Sequence, residues 1–235
     1  MDITDSTALV TGANRGLGRA FALQLLERGA ARVYGASRDP EAIDIPGVIP
    51  VALDITDPAQ VADAADLASD VDLLVNNAGT NTWQPLLAGD LHTIRLEIEP
   101  HVFGTLSMIR AFAPVLAANG GGAIVNVLSA MSWFAYPGDD AYHVAKAAEW
   151  ALTNSVRLEL APQGTSVLGL HLGVADTDMS AQIPGDKADP AAVASAALDG
   201  VERREWEVVF DDWSRLVKSS LAAEPRAFYE GAVLA

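Results

Sequence analysis

A glycine-rich stretch near the N-terminus constrains the fold more than any other part of the sequence. Residues 7–10 form a short apolar run that predicts a strand, and they lead directly into TGANRGLG at residues 11–18. Amphipathic sequence follows as far as Glu27, and Gly29 is a suitable helix stop. Glycines in such a loop let the backbone approach a pyrophosphate, to which the helix N-terminus offers free N–H groups. The stretch predicts a dinucleotide-binding unit, although its Gly-x-x-x-Gly-x-Gly spacing is not the commoner Gly-x-Gly-x-x-Gly.

Apolar runs and helical segments alternate along the rest of the chain. The further predicted strands are at residues 32–36, 48–53, 71–75, 123–128, 165–170 and 206–210. The later predicted helices are at residues 88–118, 140–161, 190–201 and 211–221. This alternation predicts one α/β domain over residues 1–235, with a doubly wound parallel sheet flanked by helices.

The charge and composition exclude several classes of partner. The formal net charge is −16, which argues against nucleic acid and anionic membrane surfaces. The chain has no cysteine, so disulfides and thiolate metal sites are excluded, and we expect no metal site. The N-terminal residues lack the basic and apolar regions of a signal peptide, and no uncharged apolar run reaches transmembrane length. We therefore expect a cytoplasmic protein.

The end of the second predicted strand bears on the choice of dinucleotide. An NAD site usually has Asp or Glu there to bind the ribose 2′-hydroxyl, but this chain has Ser37 and Arg38. Arg15 in the glycine loop is a second cation, and two arginines suit a 2′-phosphate. The sequence thus favours NADP(H) over NAD(H). Asp39 follows immediately and weakens this choice, and the alternative is two surface arginines.

Polar residues follow the next two predicted strands. Asp54 ends the third strand, where it could accept a hydrogen bond from an adenine amino group or cap the helix that starts near Pro58. The turn Asn-Asn-Ala-Gly at residues 76–79 follows the fourth strand. In a parallel sheet, this carboxyl edge is where ligands bind.

Three further residues suggest proton transfer. Tyr142 and Lys146 have the spacing that places two side chains on one helix face, and a nearby ammonium favours the phenolate and lowers the pKa of a tyrosine. Ser129 follows the fifth predicted strand, so its hydroxyl could converge with the phenol on one substrate oxygen. This arrangement suits a carbonyl being reduced or an alcohol being oxidised. Alone, the Tyr–Lys spacing is equally compatible with a surface tyrosine and a solvated lysine.

Together these motifs resemble the short-chain dehydrogenase/reductase family. The matching features, in the family's order and spacing, are TGANRGLG at 11–18, LD at 53–54, NNAG at 76–79, Ser129, and Tyr142 with Lys146. The resemblance implies a Rossmann-like sheet of about seven strands, an NAD or NADP cofactor, and interconversion of alcohols and carbonyl compounds. It also implies a homodimer or homotetramer built through the helices at 88–118 and 140–161.

The resemblance also implies roles for individual residues. Tyr142 would be the general acid/base, Lys146 would hold the nicotinamide ribose, and Ser129 would hold the substrate oxygen. The predicted cofactor-binding residues are Gly12, Asn14, Arg15, Gly16, Leu17, Gly18, Ser37, Arg38, Asp54, Ile55, Asn76, Ala78, Gly79, Tyr142, Lys146, Gly173, Val174 and Thr177.

The sequence departs from the family pattern in two places. His101 occupies the position of an asparagine that helps hold a relay water in many members, and Pro100 before it should kink or open the helix. His101 would serve this relay, or it would only pack and bond a backbone carbonyl. Leu172-Gly173 replaces the family's Pro-Gly after the sixth strand, and Thr177 matches a threonine that meets the nicotinamide carboxamide.

The substrate side is predicted from aromatic clustering. Trp83, Met131, Trp133 and Tyr136 would line an apolar pocket for a bulky or aromatic carbonyl compound, unless they serve loop packing or a subunit interface. The substrate-pocket segment at about 174–190 has little room for lid helices, so we expect an open site. The sequence therefore predicts an NADP(H)-dependent carbonyl reductase or alcohol dehydrogenase. Two alternatives are a non-catalytic dinucleotide sensor or scaffold, and an isomerase or dehydratase on the same fold.

Overall fold

Strands and helices alternate through residues 1–232, which the computed structural model describes. The strands are β1 (Thr7–Thr11), β2 (Arg32–Ser37), β3 (Val48–Ala52), β4 (Leu73–Asn76), β5 (Gly122–Val127), β6 (Thr165–His171) and β7 (Glu207–Val209). The helices are α1 (Gly16–Glu27), α2 (Pro58–Leu67), α3 (Leu91–Ile98), α4 (Thr105–Ala118), α5 (Asp140–Leu160), α6 (Pro190–Glu202), α7 (Asp212–Ser220) and α8 (Pro225–Ala232). A π-helical turn, Glu99–Gly104, joins α3 to α4.

All seven strands pair in parallel in the order β3-β2-β1-β4-β5-β6-β7. The chain moves outward from β1 to β3, then returns to the other side of β1 at β4. Loops leaving β1 and β4 therefore diverge in opposite directions and leave a crevice at the carboxyl edge of the sheet. The predicted doubly wound, seven-stranded parallel sheet is confirmed.

The sheet is covered on both faces by apolar layers. Ala8 and Val10 of β1 pack with α1 and α6, whereas Leu9 between them packs with α2, α4 and α5. This alternation follows from the two-residue period of a strand, and it explains why the central strands read as continuous apolar runs.

The helix predicted at 88–118 is present as α3 and α4, which the π-helical turn Glu99–Gly104 joins. Pro100 has no backbone N–H to donate, and the helix widens into the π turn at that residue. The whole stretch from Leu91 to Ala118 is long and apolar enough to cross a membrane by length and composition, a property that buried core helices of soluble proteins share. Here it packs against α2 and α5 and buries the charged side chain of Glu97. The final helix, α8, was not predicted.

Candidate active site

A cleft of about 1040 Å³ lies at the carboxyl edge of the sheet. Its walls come from the loops that follow β1 to β6, so residues far apart in the chain meet there. Nearly all the residues predicted for the site line it, with four exceptions given below.

The loop between β1 and α1 forms one end of the cleft. Gly12 and Gly16 have φ angles of +69° and +53°, a left-handed conformation that strongly favours glycine. Any side chain on Gly18 would clash with the Gly12 carbonyl, so the absence of a side chain lets α1 pack closely against the loop. Gly18 does not line the cleft. Arg15 precedes α1 without capping it through its side chain, which leaves backbone N–H groups at the helix start for an anion.

Asn77, which sequence reasoning passed over, anchors this loop to β4. Its side chain donates to the Thr11 carbonyl at 2.8 Å, and Thr11 Oγ1 accepts from the N–H groups of Asn77 and Ala78. Its neighbour Asn76 is buried in the sheet, where its side chain donates to Asn126 Oδ1 at 2.9 Å, and it does not line the cleft. Asn76 therefore steadies the sheet, while Asn77, Ala78 and Gly79 face the cleft.

The loops after β2 and β3 form the neighbouring wall. Ser37, Arg38, Asp54 and Ile55 line it. Arg38 is exposed, whereas Arg15 pairs with Asp178 at 3.4 Å across the mouth of the cleft.

The alternative role for Asp54 as a helix cap is wrong. Asp54 Oδ1 accepts from the N–H and hydroxyl groups of Thr56, which keeps it at the cleft. The N-cap of α2 is Asp57, which accepts from the N–H groups of Ala59 and Gln60. Pro58 stands at the first helical position, so the sequence already contained this signal.

Ser129, Tyr142 and Lys146 all line the middle of the cleft. Lys146 Nζ donates to the Val127 carbonyl at 2.7 Å and to Glu149 Oε2 at 2.8 Å, and it lies 5.7 Å from the centre of the Tyr142 ring. Ser129 Oγ accepts from the Met131 N–H at 3.1 Å, at the start of a short 3₁₀ turn. That bond uses a lone pair, so the hydroxyl proton stays free to donate to a substrate oxygen.

The expected lowering of the Tyr142 pKa is corrected by the structure. Burial raises the pKa of Tyr142 and outweighs the opposing effect of Lys146, and the carboxylates of Glu149, Asp139 and Glu97 raise it further. The phenol is therefore protonated at neutral pH in the protein alone.

His101 lies beside this group and is buried. Its Nε2 is 2.8 Å from the Thr80 carbonyl oxygen, and its ring meets the Tyr142 ring edge-on at 5.4 Å between centres. A side chain on Gly79 would clash with the imidazole, so the glycine makes room for it. Both sequence alternatives for His101 have a structural counterpart, because it contacts a backbone carbonyl and also lies 3.6 Å from Glu149 Oε2.

The segment after β6 forms the far end of the cleft. Gly173, Val174 and Thr177 line it, and a Cβ on Gly16 would lie 3.2 Å from Thr177 Cγ2. Over residues 174–190 the chain forms one 3₁₀ turn, and a bridge between Ala175 and Ala188 closes its base.

A second, mostly apolar cavity of about 800 Å³ adjoins the cleft and shares Met131 and Val174 with it. Tyr136 lines this second cavity, and Trp83 lines the cleft. Trp133 lines neither, because its ring stacks on His171 at 3.8 Å and meets Trp150 edge-on. The predicted aromatic cluster is thus divided between pocket and packing. Ile183 reaches the cavity from the predicted substrate-pocket segment at about 174–190, whereas sequence reasoning missed Trp213, which reaches it from α7.

The comparisons with known proteins agree with this geometry. A family profile described as short chain dehydrogenase matches residues 6–188. The chain is 33% identical over 196 residues to the short chain dehydrogenase citE of Monascus ruber, covering 75% of this chain and 67% of that one. It is 34% identical over 186 residues to a sorbitol dehydrogenase of Cereibacter sphaeroides, covering 75% and 73%.

Solved structures extend the similarity over nearly the whole chain. A short chain dehydrogenase from Burkholderia cenocepacia in complex with NADP is 41% identical, with a TM-score of 0.94 and 98% of each chain covered. A 3-ketoacyl-(acyl-carrier-protein) reductase from Brucella melitensis complexed with NADH is 25% identical, with a TM-score of 0.81, covering 88% of this chain and 96% of that one.

The sheet order and the glycine loop at its switch point define a dinucleotide-binding α/β protein. More narrowly, the chain belongs to the short-chain dehydrogenase family. The predicted nicotinamide dinucleotide cofactor is confirmed at this level, and the cleft fits it through the left-handed glycines and the uncapped start of α1.

Proposed function

We propose that the protein is an NADP(H)-dependent oxidoreductase that interconverts a carbonyl compound and an alcohol. The observation that carries the proposal is the meeting of Ser129, Tyr142 and Lys146 in one cleft, between a dinucleotide loop and an apolar cavity. A hydroxyl, a phenol and a buried ammonium are the groups needed to hold a substrate oxygen and move one proton to or from it.

Each of these residues has a distinct task in the proposed reaction. The nicotinamide, when bound, supplies or accepts a hydride. Ser129 donates a hydrogen bond to the substrate oxygen, and Tyr142 gives that oxygen a proton during reduction or removes one during oxidation. Lys146, fixed by Val127 and Glu149, provides a positive charge beside the phenol and a donor for the cofactor's ribose.

The test of this mechanism is Tyr142→Phe. Without the phenolic hydroxyl there is no proton donor at the substrate oxygen, so we expect turnover to fall by roughly 10²-fold or more. Dinucleotide binding, measured by tryptophan fluorescence, should stay close to that of the parent. Turnover retained in this variant would refute the mechanism. Parent protein that binds the dinucleotide but turns nothing over would favour a sensor or scaffold, and conversion without net cofactor consumption would indicate an isomerase or dehydratase.

The preference for NADP(H) is supported by Arg38, which is exposed at the cleft wall beside Ser37, and by the NADP complex of the similar Burkholderia protein. We expect NADPH to bind more tightly than NADH in parallel fluorescence titrations. Arg38→Ala should remove most of this difference, whereas NADH binding should change little. An NADH preference in the parent would instead point to Asp39 as the ribose ligand.

A bulky, apolar carbonyl compound is the substrate class we propose. The second cavity is walled by Met131, Phe134, Tyr136 and Trp213 and adjoins the catalytic cleft. Lys187, also at this wall, donates to the Ser180 carbonyl at 2.8 Å and lies 4.0 Å from Asp176. Because its charge already has partners, it favours no anionic substrate. A panel of aryl ketones against short aliphatic ketones tests this proposal by kcat/KM. We further propose a homo-oligomer located in the cytoplasm.

A further inference from the structure

Four buried ionisable groups beside Tyr142 form a connected cluster that the proposed mechanism uses only in part. Glu149 Oε2 lies 2.8 Å from Lys146 Nζ and 3.6 Å from His101 Nδ1. Glu97 lies on the other side of the imidazole, with its Oε1 3.7 Å from His101 Nε2. Each of the four side chains belongs to a residue at most 5% exposed, so water screens their charges much less than those of surface groups.

The backbone holds this cluster in place from several elements. The second bond of Lys146, to the Val127 carbonyl, ties it to β5, and Thr105 Oγ1 at the start of α4 donates to Glu149 Oε1 at 3.3 Å. Glu97 accepts from the Thr82 N–H in the loop after β4. The ammonium therefore cannot leave Glu149 without breaking a buried ion pair, which is strongly unfavourable.

The ion pair changes what Lys146 does to the phenol. An isolated ammonium within about 4–6 Å lowers the pKa of an acid by roughly one to three units. Here a carboxylate in direct contact with the same ammonium offsets its charge. Burial raises the pKa of Glu149, but Lys146 and His101 lower it by more, so Glu149 is ionised.

The other acids around the Tyr142 ring also raise the pKa of its phenol, and two further ionisable groups near the ring are uncharged at neutral pH. Glu97 from α3 and Asp139 at the start of α5 are acids that face the phenol. Burial lowers the pKa of His171 on β6 to about 4, and burial raises the pKa of Tyr136 to about 12, so both are uncharged at neutral pH. His101 on the π turn meets the ring edge-on.

We infer that Glu149 is a positioning residue that fixes Lys146 and offsets part of its charge, which helps Tyr142 to keep its proton at neutral pH and sets the site for carbonyl reduction. In that direction the carbonyl carbon receives a hydride from the reduced dinucleotide, which is thereby oxidised. The Tyr142 O–H bond breaks, its proton passes to the carbonyl oxygen, and the phenolate regains a proton from water. The inference rests on the proposed function.

The experiment compares Glu149→Gln with a matched control, Glu207→Gln. Glu207 also pairs with a lysine, Lys218, and also lies 3.7 Å from a histidine nitrogen, on His171, but it is not one of the acids that raise the pKa of Tyr142. Two readouts are used: tyrosinate absorbance during a pH titration, corrected by the same titration with Tyr142→Phe added, and the pH dependence of kcat/KM in both directions.

We expect Glu149→Gln to lower the midpoint of the Tyr142 titration by roughly one pH unit. The part of each kcat/KM pH profile that reports ionisation of Tyr142 should move to lower pH by the same amount. Glu207→Gln should leave both where they are in the parent. Glu149→Asp keeps the negative charge on a side chain that is one methylene shorter. Its Tyr142 titration midpoint should lie between those of the parent and Glu149→Gln. If Glu149→Gln does not fold, Glu97→Gln must shift the titration in the same direction, because it removes a second negative charge without touching Lys146.

An unchanged midpoint in folded Glu149→Gln, a shift to higher pH, or an equal shift in Glu207→Gln would overturn the inference. The absorbance titration needs no substrate, so it separates the two failures. A parent protein without turnover defeats the proposed function alone, whereas a Tyr142 titration that ignores Glu149 defeats this inference alone.

Discussion

At the scale of single residues, Asp139 shows how burial alters an acid. Its carboxyl lies at the start of α5, accepts a hydrogen bond from the Asn81 side chain at 2.8 Å, and leaves Oδ1 without a partner within residues 1–232. Burial raises the pKa of Asp139 to about 6, and the nearby acids Glu97 and Asp140 add to the effect. The folded protein therefore binds this proton more tightly than the unfolded chain does.

Asp139→Asn should stabilise the protein at neutral pH. Because the folded-state pKa is raised, the stability linked to the proton is present in full below the unfolded pKa and is lost as the pH rises through about 6. An amide does not ionise, so the variant should escape this loss. We expect a gain of about 1 kcal/mol at about pH 7 after allowing for screening by cleft water, which is roughly 2–4 °C in Tm. Thermal melts at about pH 4 should show no gain; an equal gain at both pH values would contradict the stated cause.

His101 allows a second prediction at this scale. If the imidazole serves a proton relay through Glu149, His101→Ala should lower kcat while leaving dinucleotide binding near the parent value, and His101→Asn should retain more activity because an amide also donates and accepts. Steady-state kinetics on both variants provides the measurement. Two variants that match the parent would reduce His101 to a packing residue.

At the scale of elements, the local sequence decides where each helix and loop begins. The left-handed Gly12 and Gly16 bound the loop before α1, and Asp57 with Pro58 starts α2. Pro100 opens the helix between α3 and α4 at the turn that carries His101 into the cleft. These signals act over a few residues, so the sequence could predict the seven strands and most helices to within a few positions.

Asp54 and Asp57 are close in sequence but should have different roles, one in dinucleotide binding and the other in the stability of α2. Asp57→Ala removes the cap of α2 and leaves two backbone N–H groups unpaired, so we expect the Tm to fall by a few degrees with dinucleotide affinity unchanged. Asp54→Ala should weaken dinucleotide binding, because Asp54 lines the cleft and caps nothing in α2. Melting curves and fluorescence titrations of both variants provide the comparison. If only Asp57→Ala lost dinucleotide affinity, the assignment of Asp54 to binding and Asp57 to helix stability would be wrong.

At the scale of the whole molecule, α5 and the π turn before α4 expose large apolar side chains. Val144 and Leu158 of α5 are 42% and 69% exposed, and Phe103 before α4 is 54% exposed. Val144, Ala151 and Leu158 follow one another at seven-residue spacing, which places them on one helix face. Such a stripe fits the subunit contact that the family resemblance implied.

Leu158→Glu should therefore dissociate the proposed oligomer, because it would place a charge in the proposed apolar contact. Size-exclusion chromatography with light scattering should give a multiple of 24.6 kDa for the parent and a smaller species for the variant. Leu67→Glu, on the exposed side of α2, is the control and should behave as the parent does. A monomeric parent would remove the proposed assembly.

The sequence by itself determined the order of strands and helices, the glycine loop and the identity of the Ser129, Tyr142 and Lys146 group. Apolar periodicity, glycine and proline act locally, and the motif spacings are properties of the chain. Only the tertiary structure decided which asparagine holds the loop, that Trp133 packs on His171 away from the cleft, and that Tyr142 keeps its proton. These outcomes depend on burial and on partners such as Glu97, which meet the site only when distant segments fold together.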